Sequence, residues 1–449
     1  MPLVRSISGL RATVDDNTLN EELVRDYCRA YERVIPKGEI VIGRDGRPSG
    51  EAIMQTAAET LAKCGRNVLI AGIVPTPTVQ LLVENSAAAG GIIVTASHNP
   101  AQWNGLKFLG QDGVFLDGEK NAQLWQILDK RLFPEYKGNG NIQEIDNADE
   151  LHIESVMKLP LLQQVLPELR DMQLRAVVDA VNASGSEFVP GLLNRLGVEV
   201  VPLFCDGSGV FPHKPEPLPQ NLTQLAASVS ENNADIGIAV DPDADRLVLI
   251  DENGQAIGEE LTVSLAVESV LDMQGKANGE AVVVNLSTTR VVEDIANKYG
   301  AKLFRSPVGE INVVKKMRET GAVIGGEGSG GVIYPECHLG RDSLVGIVLV
   351  LSLLARRRKT LSELVAEFPK YKIVKYKKDF SGNVKKLTDK IARFYTGAKI
   401  NTDDGLRVDF DKSWVQVRAS NTEPIVRITA EAPTEEEAEK LVKEIKQHI

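Results

Sequence analysis

A serine stands at a turn that follows a strongly apolar run. Ser97 lies in residues 95–100, directly after the apolar residues 92–94 and the glycine pair 90–91. The apolar run indicates a buried strand, and the glycines and Pro100 indicate that it ends in a tight turn. A hydroxyl group at the mouth of such a turn can act as a nucleophile or carry a phosphate group. The alternative is an ordinary polar turn.

Three aspartates alternate along a second turn. Asp241, Asp243 and Asp245 follow the strand-like run 236–240 and precede Arg246. Three carboxylates that converge in a partly desolvated site repel one another unless a cation lies between them. A small cluster of hard oxygen ligands suits Mg²⁺, and an arginine fork suits a phosphate group. The pattern predicts a Mg²⁺ site beside a phosphate group, with a solvated acidic loop as the alternative.

A glycine-rich loop at residues 325–331 follows the apolar run 322–324. Its glycines allow the backbone to approach a ligand closely. Glu327 supplies an acceptor and Ser329 supplies a donor, a pair that suits the hydroxyl groups of a sugar. A polar hairpin loop without a ligand is the alternative.

A fourth polar loop, at residues 418–424, separates the apolar runs 414–417 and 425–428. It offers one cation, two hydroxyl groups and an amide, which together suit a phosphate monoester. These groups belong to Arg418, Ser420, Asn421 and Thr422. Taken alone, this loop is equally typical of a polar hairpin.

In this order, the four loops resemble those of the α-D-phosphohexomutase superfamily, and the resemblance runs nearly end to end. Shorter matches at residues 43–50 and 104–108 add to it. The resemblance identifies a phosphoserine loop at residues 95–100, a metal loop at 241–246, a sugar loop at 327–331 and a phosphate loop at 418–422. It implies four domains around one central cleft, each contributing one loop.

The resemblance also implies a reaction. Such enzymes move phosphate between C1 and C6 of a hexose through a phosphoserine, with a hexose 1,6-bisphosphate as intermediate and activator. Mg²⁺ would be bound by Ser97, Asp241, Asp243 and Asp245. The sugar would be bound by Glu327 and Ser329, and the phosphate that is not transferred by Arg418, Ser420, Asn421 and Thr422.

The catalytic residues implied by the resemblance are Ser97, Arg246, Lys107, Arg11 and His98. Arg246 would steady the phosphoserine, whereas Lys107 and Arg11 match positions that serve in binding or proton movement. Gly331 stands where many members of the superfamily carry a histidine, which leaves the general acid/base open. His338 is a candidate substitute, and His98 has a structural role in its loop as its alternative. Ala12 also departs from an N-terminal glycine of the superfamily pattern.

The expected substrate is glucosamine 6-phosphate, which would be converted to glucosamine 1-phosphate. Residues 6–11, 215–222 and the sugar loop are similar to a phosphoglucosamine mutase branch of the superfamily. A phosphoglucomutase/phosphomannomutase is the alternative within the superfamily. A metal-dependent sugar-phosphate phosphatase and a non-catalytic sugar-phosphate binding protein are alternatives from other classes. Binding alone requires neither Ser97 nor the three aspartates, and the five histidines are widely scattered.

Strand-like and helix-like runs alternate along most of the chain, which predicts an α/β fold with mainly parallel sheets. Ser97 and Asp241 follow strands, where such sheets carry active sites. Polar stretches rich in glycine or proline mark boundaries. We expect three mixed α/β domains and a smaller C-terminal α+β domain around a central cleft: a phosphoserine-loop domain at 1–150, a metal-binding domain at 151–253, a sugar-binding domain at 254–367 and a phosphate-binding domain at 368–449.

Composition narrows the class of partner. The 449 residues carry a net charge of −11, which disfavours nucleic acid and anionic membranes as partners. The sequence shows neither an apolar run of membrane-spanning length nor a secretory signal. The four cysteines are far apart and lack metal-site spacing, which predicts reduced thiols in the cytoplasm. The expected partner is a small sugar phosphate, and the expected assembly is a monomer or a homodimer.

Overall fold

The computed structural model describes residues 3–275, 279–380, 382–395, 397–419 and 425–449. Within these ranges the strands form four sheets, with seven, four, four and five strands. Helices separate most of the strands of the first three sheets, so the predicted mixed α/β class is confirmed. No helix of the described ranges is long and apolar enough to cross a membrane.

The first sheet has the strand order β1-β2-β6-β5-β3-β4-β7. Its central strands β5, β3 and β4 are parallel, and β6 runs antiparallel to β5. β5 is buried along its whole length, as expected of a parallel strand covered on both faces. The strands are Val4–Ser6 (β1), Gly9–Thr13 (β2), Ile40–Arg44 (β3), Val68–Ile73 (β4), Gly90–Val94 (β5), Trp103–Leu109 (β6) and Ile142–Glu144 (β7). The helices are Glu21–Val34 (α1), Gly50–Lys63 (α2), Thr76–Glu84 (α3), Gly118–Asp129 (α4), Ala148–Met157 (α5) and Pro160–Asp171 (α6).

The second sheet has the strand order β11-β10-β8-β9. β10 and β11 form an antiparallel hairpin, and the metal loop is the connection between them. The strands are Arg175–Asp179 (β8), Glu199–Phe204 (β9), Ile236–Val240 (β10) and Leu247–Ile250 (β11). The helices are Gly185–Leu196 (α7) and Thr223–Glu231 (α8), preceded by a single 3₁₀ turn at Pro219–Asn221.

The third sheet has the strand order β13-β12-β14-β15. The sugar loop closes the antiparallel hairpin of β14 and β15. The strands are Ala281–Asn285 (β12), Lys302–Ser306 (β13), Ile324–Glu327 (β14) and Gly331–Ile333 (β15). The helices are Glu259–Gln274 (α9), Val291–Tyr299 (α10), Glu310–Thr320 (α11), Ser343–Arg357 (α12) and Leu361–Ala366 (α13).

The fourth sheet is antiparallel throughout, with the order β16-β20-β19-β18-β17. A capping box precedes the last helix, because Thr434 and Glu437 hydrogen-bond to each other's backbone N–H. The strands are Lys372–Asp379 (β16), Lys399–Asn401 (β17), Leu406–Asp409 (β18), Trp414–Ala419 (β19) and Ile425–Ala432 (β20). The helices are Val384–Ala392 (α14) and Glu435–Lys446 (α15).

One continuous apolar core joins parts of the first three sheets. At its centre is α12, which is buried on every side from Ser343 to Ala355. A helix that is apolar all round is stable only when other elements cover it, and α6 and α9 pack on α12 from two sides. The fourth sheet has a separate core with α14 and α15. The exact domain boundaries stay a prediction.

A buried carboxylate joins the fourth sheet to the third. Glu431 accepts hydrogen bonds from the backbone N–H of Arg290 at 2.8 Å and from Trp414 Nε1 at 2.5 Å. Thr289 donates a further hydrogen bond to the same carboxylate. Because Trp414 begins β19, these contacts anchor the strand that leads into the phosphate loop.

Candidate active site

Residues from all four sheets line one cleft of about 620 Å³. Of the residues predicted for the site, Arg11, His98, Lys107, Arg246, Glu327, Ser329 and Arg418 line this cleft. A larger cavity, of about 790 Å³, lies between the third and fourth sheets. In the described part of the chain it is lined by none of the predicted residues, so the smaller cleft is the candidate site.

Ser97 lies beside this cleft and is almost fully buried, with 1% of its surface exposed. Its Oγ donates a hydrogen bond of 3.0 Å to Asp241 Oδ2. The backbone of Ser97 is left-handed, with φ of 52°, and its N–H donates to Thr95 Oγ1 at 2.8 Å. A left-handed residue other than glycine costs about 1 to 3 kcal/mol, so the surrounding contacts must hold the turn.

The contact that holds the turn comes from Arg47, whose role the sequence did not predict. This side chain is fully buried, and its Nη2 donates to the carbonyl oxygen of Ser97 at 2.7 Å and to that of Asn99. It also forms an ion pair with Asp45, which accepts a hydrogen bond of 2.6 Å from Thr95 Oγ1. The phosphoserine loop is therefore held in place by a guanidinium group that donates hydrogen bonds to two of its carbonyl oxygens.

The three aspartates of the metal loop converge as predicted. Asp241, Asp243 and Asp245 are fully buried, and one carboxylate oxygen of each lies within 4.8 Å of the others. Oδ1 of Asp243 and Oδ1 of Asp245 accept no hydrogen bond from the described residues. Buried carboxylate oxygens without a donor are costly, and a hard divalent cation supplies what they lack. The residues present therefore fit a Mg²⁺ ion.

Burial and mutual repulsion govern the protonation of this cluster. Burial raises the pKa of Asp241 well above its usual value, and the charges of Asp243 and Asp245 raise it further. Burial also disfavours ionisation of Asp243, but Lys107 outweighs that effect and keeps the pKa of Asp243 below its usual value. Without a bound cation, Asp243 is therefore the firmly ionised carboxylate of the cluster, and Asp241 retains its proton more readily.

Lys107, on β6, crosses from the first sheet to the metal loop. Its Nζ lies 2.5 Å from Asp243 Oδ2 and 3.2 Å from Asp245 Oδ2. Burial opposes the charge of this amine, but the two carboxylates prevail and raise the pKa of Lys107. Thr76 adds a hydrogen bond of 2.7 Å to Asp243 Oδ2. Lys107 therefore acts in this geometry as a fixed ammonium ion.

Three further predicted residues line the cleft near the phosphoserine and metal loops. Arg246 Nε lies 3.8 Å from Asp241 Oδ2 and 3.7 Å from Asp245 Oδ1, so this guanidinium group lies beside two carboxylates of its own loop. His98 Nδ1 lies 3.4 Å from Ser97 Oγ. Burial, together with the charges of Arg246 and Arg11, lowers the pKa of His98 well below its usual value. Burial also lowers the pKa of Arg11 to about 10.

The sugar loop presents Glu327 from the end of β14. Its Oε1 accepts hydrogen bonds of 2.8 Å from Asn285 Nδ2 and from the backbone N–H of Gly309. Its Oε2 accepts a hydrogen bond of 2.8 Å from Arg341 Nη1. Ser329 is half-buried and lines the cleft next to it. Both predicted sugar-binding residues are therefore at the cleft.

Arg341 is the functional residue of this region that sequence reasoning missed. It lines the cleft in the space beside Gly331. His338, the candidate substitute for a loop histidine, lies elsewhere: it is buried and its Nε2 lies 3.1 Å from Asp342 Oδ2. His338 is not among the described residues that line the cleft. The structure thus places an arginine, rather than that histidine, next to the sugar loop.

Arg418 lines the cleft from β19, and two unpredicted cations stand beside it. Lys377 of β16 and Arg418 of β19 are each paired in register with Arg427 of β20. Residues paired across antiparallel strands point to the same face, so these three cations are neighbours at the cleft. A group of cations at a cleft can bind a phosphate dianion through charged hydrogen bonds. Ser420, Asn421 and Thr422 lie outside the described residues.

Comparison with known proteins agrees with this geometry. The phosphoglucomutase/phosphomannomutase models for alpha/beta/alpha domains I, II and III match residues 4–135, 151–254 and 258–371, and the model for the C-terminal domain matches 353–448. A phosphoglucomutase/phosphomannomutase of Thermococcus kodakarensis is 37% identical over 407 residues, which cover 89% of this chain and 87% of that protein.

Two further proteins match along nearly their whole length. A Methanopyrus kandleri protein named "Probable phosphoglucosamine mutase" is 34% identical over 97% of this chain and 95% of its own. The crystal structure of a phosphoglucomutase/phosphomannomutase family protein from Burkholderia thailandensis is 28% identical, with a TM-score of 0.84, and the match covers 98% of this chain and 95% of that one. The chain therefore belongs to the phosphoglucomutase/phosphomannomutase family and is a phosphohexomutase, an intramolecular phosphotransferase that acts on a sugar phosphate.

Proposed function

We propose that this phosphohexomutase interconverts glucosamine 6-phosphate and glucosamine 1-phosphate through phosphate carried on Ser97. The observation that carries the mechanism is the hydrogen bond of 3.0 Å between Ser97 Oγ and Asp241 Oδ2, within a buried group of three aspartates. A phosphate carrier needs a hydroxyl group at the substrate cleft and positive charge beside it. The amino sugar is favoured because relatives that match nearly the whole chain bear the name phosphoglucosamine mutase.

Mg²⁺ is the proposed cation, held by Asp241, Asp243, Asp245 and the phosphate on Ser97. When bound, it supplies a Lewis acid that neutralises charge on the phosphoryl group in transfer. Lys107 holds two metal-loop carboxylates in place and favours the ionised form of Asp243, because its ammonium group lies 2.5 Å from Asp243 and 3.2 Å from Asp245. Arg246 adds a guanidinium group on the side of the cluster that faces the cleft.

The sugar monophosphate is proposed to lie between the sugar loop and the phosphate loop. In the first step the P–O bond to Ser97 breaks and a P–O bond to the free sugar hydroxyl group forms. The hydroxyl proton passes in the net reaction to Ser97 Oγ, and the product is a hexose 1,6-bisphosphate. The bisphosphate then turns in the cleft and returns its other phosphate to Ser97. Glu327 and Ser329 bind ring hydroxyl groups in both orientations.

The phosphate that is not transferred is proposed to be held by Arg418, Lys377 and Arg427, with Ser420, Asn421 and Thr422 as neutral donors. This assignment rests on the side-by-side register of the three cations at the cleft. Burial of Ser97 to 1% exposure excludes water from the carrier, which favours transfer to a sugar over hydrolysis.

A phosphoglucomutase/phosphomannomutase activity is the second candidate. The Thermococcus kodakarensis relative with that name is 37% identical, a higher value than the 34% of the Methanopyrus kandleri relative. The amino sugar and the two neutral sugars differ near C2, where a substituent is small. The preference of the enzyme among these sugars therefore depends on contacts of a few atoms near C2 rather than on the loops as a whole.

A coupled isomerase assay separates the two candidates. Purified protein with Mg²⁺ and a hexose 1,6-bisphosphate activator is supplied with the 6-phosphates of glucosamine, glucose and mannose in turn. We expect the highest kcat/KM with glucosamine 6-phosphate. A higher kcat/KM for glucose or mannose phosphate would replace the first candidate with the second.

The protein is further proposed to act in the cytoplasm, as a monomer or homodimer, without nucleic acid or membrane as a partner. The net charge of −11 supports the last point, because phosphate backbones and anionic lipids repel an acidic surface. The four cysteines are free, in agreement with a reducing compartment.

A further inference from the structure

Arg341 connects three carboxylates that come from different parts of the chain. Its Nε donates to Glu310 Oε2 at 3.0 Å, its Nη1 to Glu327 Oε2 at 2.8 Å and its Nη2 to Asp245 Oδ2 at 2.6 Å. Glu310 begins α11, Glu327 belongs to the sugar loop and Asp245 to the metal loop. One guanidinium group therefore joins the sugar loop to the metal loop of the neighbouring sheet.

The shape of the guanidinium group suits this task. It is planar and carries five N–H groups, and the three contacts use three of them. The side chain is 11% exposed, and Arg341 lines the cleft. An ammonium group in the same place would be a single point charge, unable to orient three carboxylates at once. Arg341→Lys would therefore keep the charge and lose the geometry.

Gly331 makes room for this side chain. A Cβ atom at position 331 would lie 2.2 Å from Arg341 Cδ and 3.0 Å from its Cγ. The backbone of Gly331 is not in the left-handed region, so its conformation would accept other residues. The requirement for glycine at this position is therefore steric, and the obstacle is the aliphatic stem of Arg341. The superfamily histidine expected at position 331 could not occupy this space together with Arg341.

We propose that Arg341 is a positioning residue of the mutase reaction that sets the sugar loop and the metal loop relative to each other. Because Arg341 holds Asp245 by Oδ2, its Oδ1, which accepts no hydrogen bond from the described residues, stays available to a cation. Holding Glu327 by Oε2 fixes the carboxylate that faces the sugar. The proposal rests on the proposed function of these two carboxylates, and it implies that sugar binding and Mg²⁺ binding change together when Arg341 is disturbed.

The test measures KM for glucosamine 6-phosphate and the Mg²⁺ dissociation constant by calorimetry in Arg341→Lys and Gly331→Ala. Loss of charged hydrogen bonds corresponds to about a tenfold to hundredfold change in binding, so we expect each variant to raise both constants by about tenfold or more. Thermal melting and the phosphate content of Ser97 report whether each variant is folded. Arg318→Lys is the matched control, because this exposed guanidinium binds Asp112 on the surface, and both constants should stay unchanged.

A double-mutant cycle gives the sharper result. In an Arg341→Ala background the obstacle to a Cβ at position 331 is gone, so adding Gly331→Ala should change neither constant further, although Gly331→Ala alone changes both. Equal effects of Gly331→Ala in both backgrounds would overturn the proposal. So would variants of Arg341 that are folded and retain both constants. A wild type that binds Mg²⁺ but isomerises no sugar phosphate would contradict the proposed function instead, while the Mg²⁺ constants would still test Arg341.

Discussion

Ser97 Oγ donates a hydrogen bond of 3.0 Å to Asp241 Oδ2, although 144 positions separate the two residues in the chain. Ser97 follows β5 of the first sheet, and Asp241 follows β10 of the second. Thr76 makes a second connection between the same sheets, with 2.7 Å from its Oγ1 to Asp243 Oδ2. The proposed phosphate carrier and the proposed cation site are thus assembled by packing of two sheets, so their distance depends on that packing.

The first prediction concerns the cation site. Asp243→Asn removes a carboxylate from the buried triad, so the Mg²⁺ ion that would neutralise charge on the transferred phosphoryl group should bind less tightly. We expect kcat to fall by about a hundredfold or more and the Mg²⁺ concentration for half-maximal activity to rise. Steady-state kinetics over a Mg²⁺ titration checks both. Asp206→Asn, at an exposed loop of the same sheet, is the control and should match the wild type. Full activity after exhaustive chelation would refute a metal requirement.

The second prediction uses two neighbouring lysines on β16. Lys377 is in register with Arg427 and lines the cleft, whereas Lys378 is in register with Val426 on the opposite face. Lys377→Ala should raise KM for each sugar phosphate by about tenfold, since a charged hydrogen bond to phosphate is lost. Lys378→Ala should leave KM unchanged. Equal KM values for the two variants would show that this face of the sheet does not bind phosphate.

Arg418 provides a related prediction. Arg418→Ala should raise KM for every hexose phosphate tested, while Ser97 still carries phosphate. Arg418→Lys should restore KM in part, because an ammonium group lacks the planar fork that contacts two phosphate oxygens. Kinetics with glucosamine, glucose and mannose phosphates checks the result. A changed preference among the three sugars at unchanged KM would mean that the loop contacts the sugar ring instead of phosphate.

Local sequence pattern predicted the residues that lie at strand ends. Ser97, Asp241 and Glu327 each end or follow a buried strand, so the apolar run before each of them predicted the strand and the position of the residue at its end. The smaller C-terminal α+β domain was also predicted, and the structure has an antiparallel sheet with two helices there.

Arg341 and Arg47 could not be predicted in this way. Their partners lie in other elements, and a lone arginine in a polar segment has no periodicity that reveals where its side chain points. Arg47 binds carbonyl oxygens about fifty positions away, and Arg341 binds Asp245 across two sheets. Gly331 was a sequence signal of the Arg341 contacts, because it leaves room for that side chain. The signal could be interpreted only once the position of the Arg341 side chain was known.

The fourth prediction concerns stability. Asp342 is buried, caps α12 through Oδ1, and its Oδ2 lies 2.8 Å from His152 Nε2 and 3.1 Å from His338 Nε2. Asp342→Asn keeps the cap but removes the charge, which should reduce the unfolding free energy at pH 7 by about 3 kcal/mol. Chemical denaturation checks this. Asp117→Asn, at the half-buried cap of α4, is the control and should reduce the unfolding free energy much less.

The fifth prediction is that the difference in unfolding free energy between the wild type and Asp342→Asn depends on pH. Burial disfavours the charge of Asp342, but the two histidines prevail and hold the pKa of Asp342 below its usual value. A carboxylate whose folded pKa is depressed contributes stability above its unfolded pKa of about 3.9, and this contribution is lost as the pH falls toward the folded pKa. The stability difference between wild type and Asp342→Asn should therefore narrow below about pH 4. A difference that widens in acid would contradict the role assigned to the charge.

The most direct test of phosphate transfer through Ser97 follows the phosphate group itself. Phosphorylated enzyme and excess glucosamine 6-phosphate are mixed and quenched within a single turnover, and intact mass spectrometry and sugar analysis are performed on the same samples. We expect that phosphate leaves Ser97, appears as hexose 1,6-bisphosphate and returns to Ser97 as glucosamine 1-phosphate forms. Ser97→Ala should neither carry phosphate nor isomerise the sugar. Release as inorganic phosphate without sugar isomerisation, or full isomerase activity in Ser97→Ala, would contradict it.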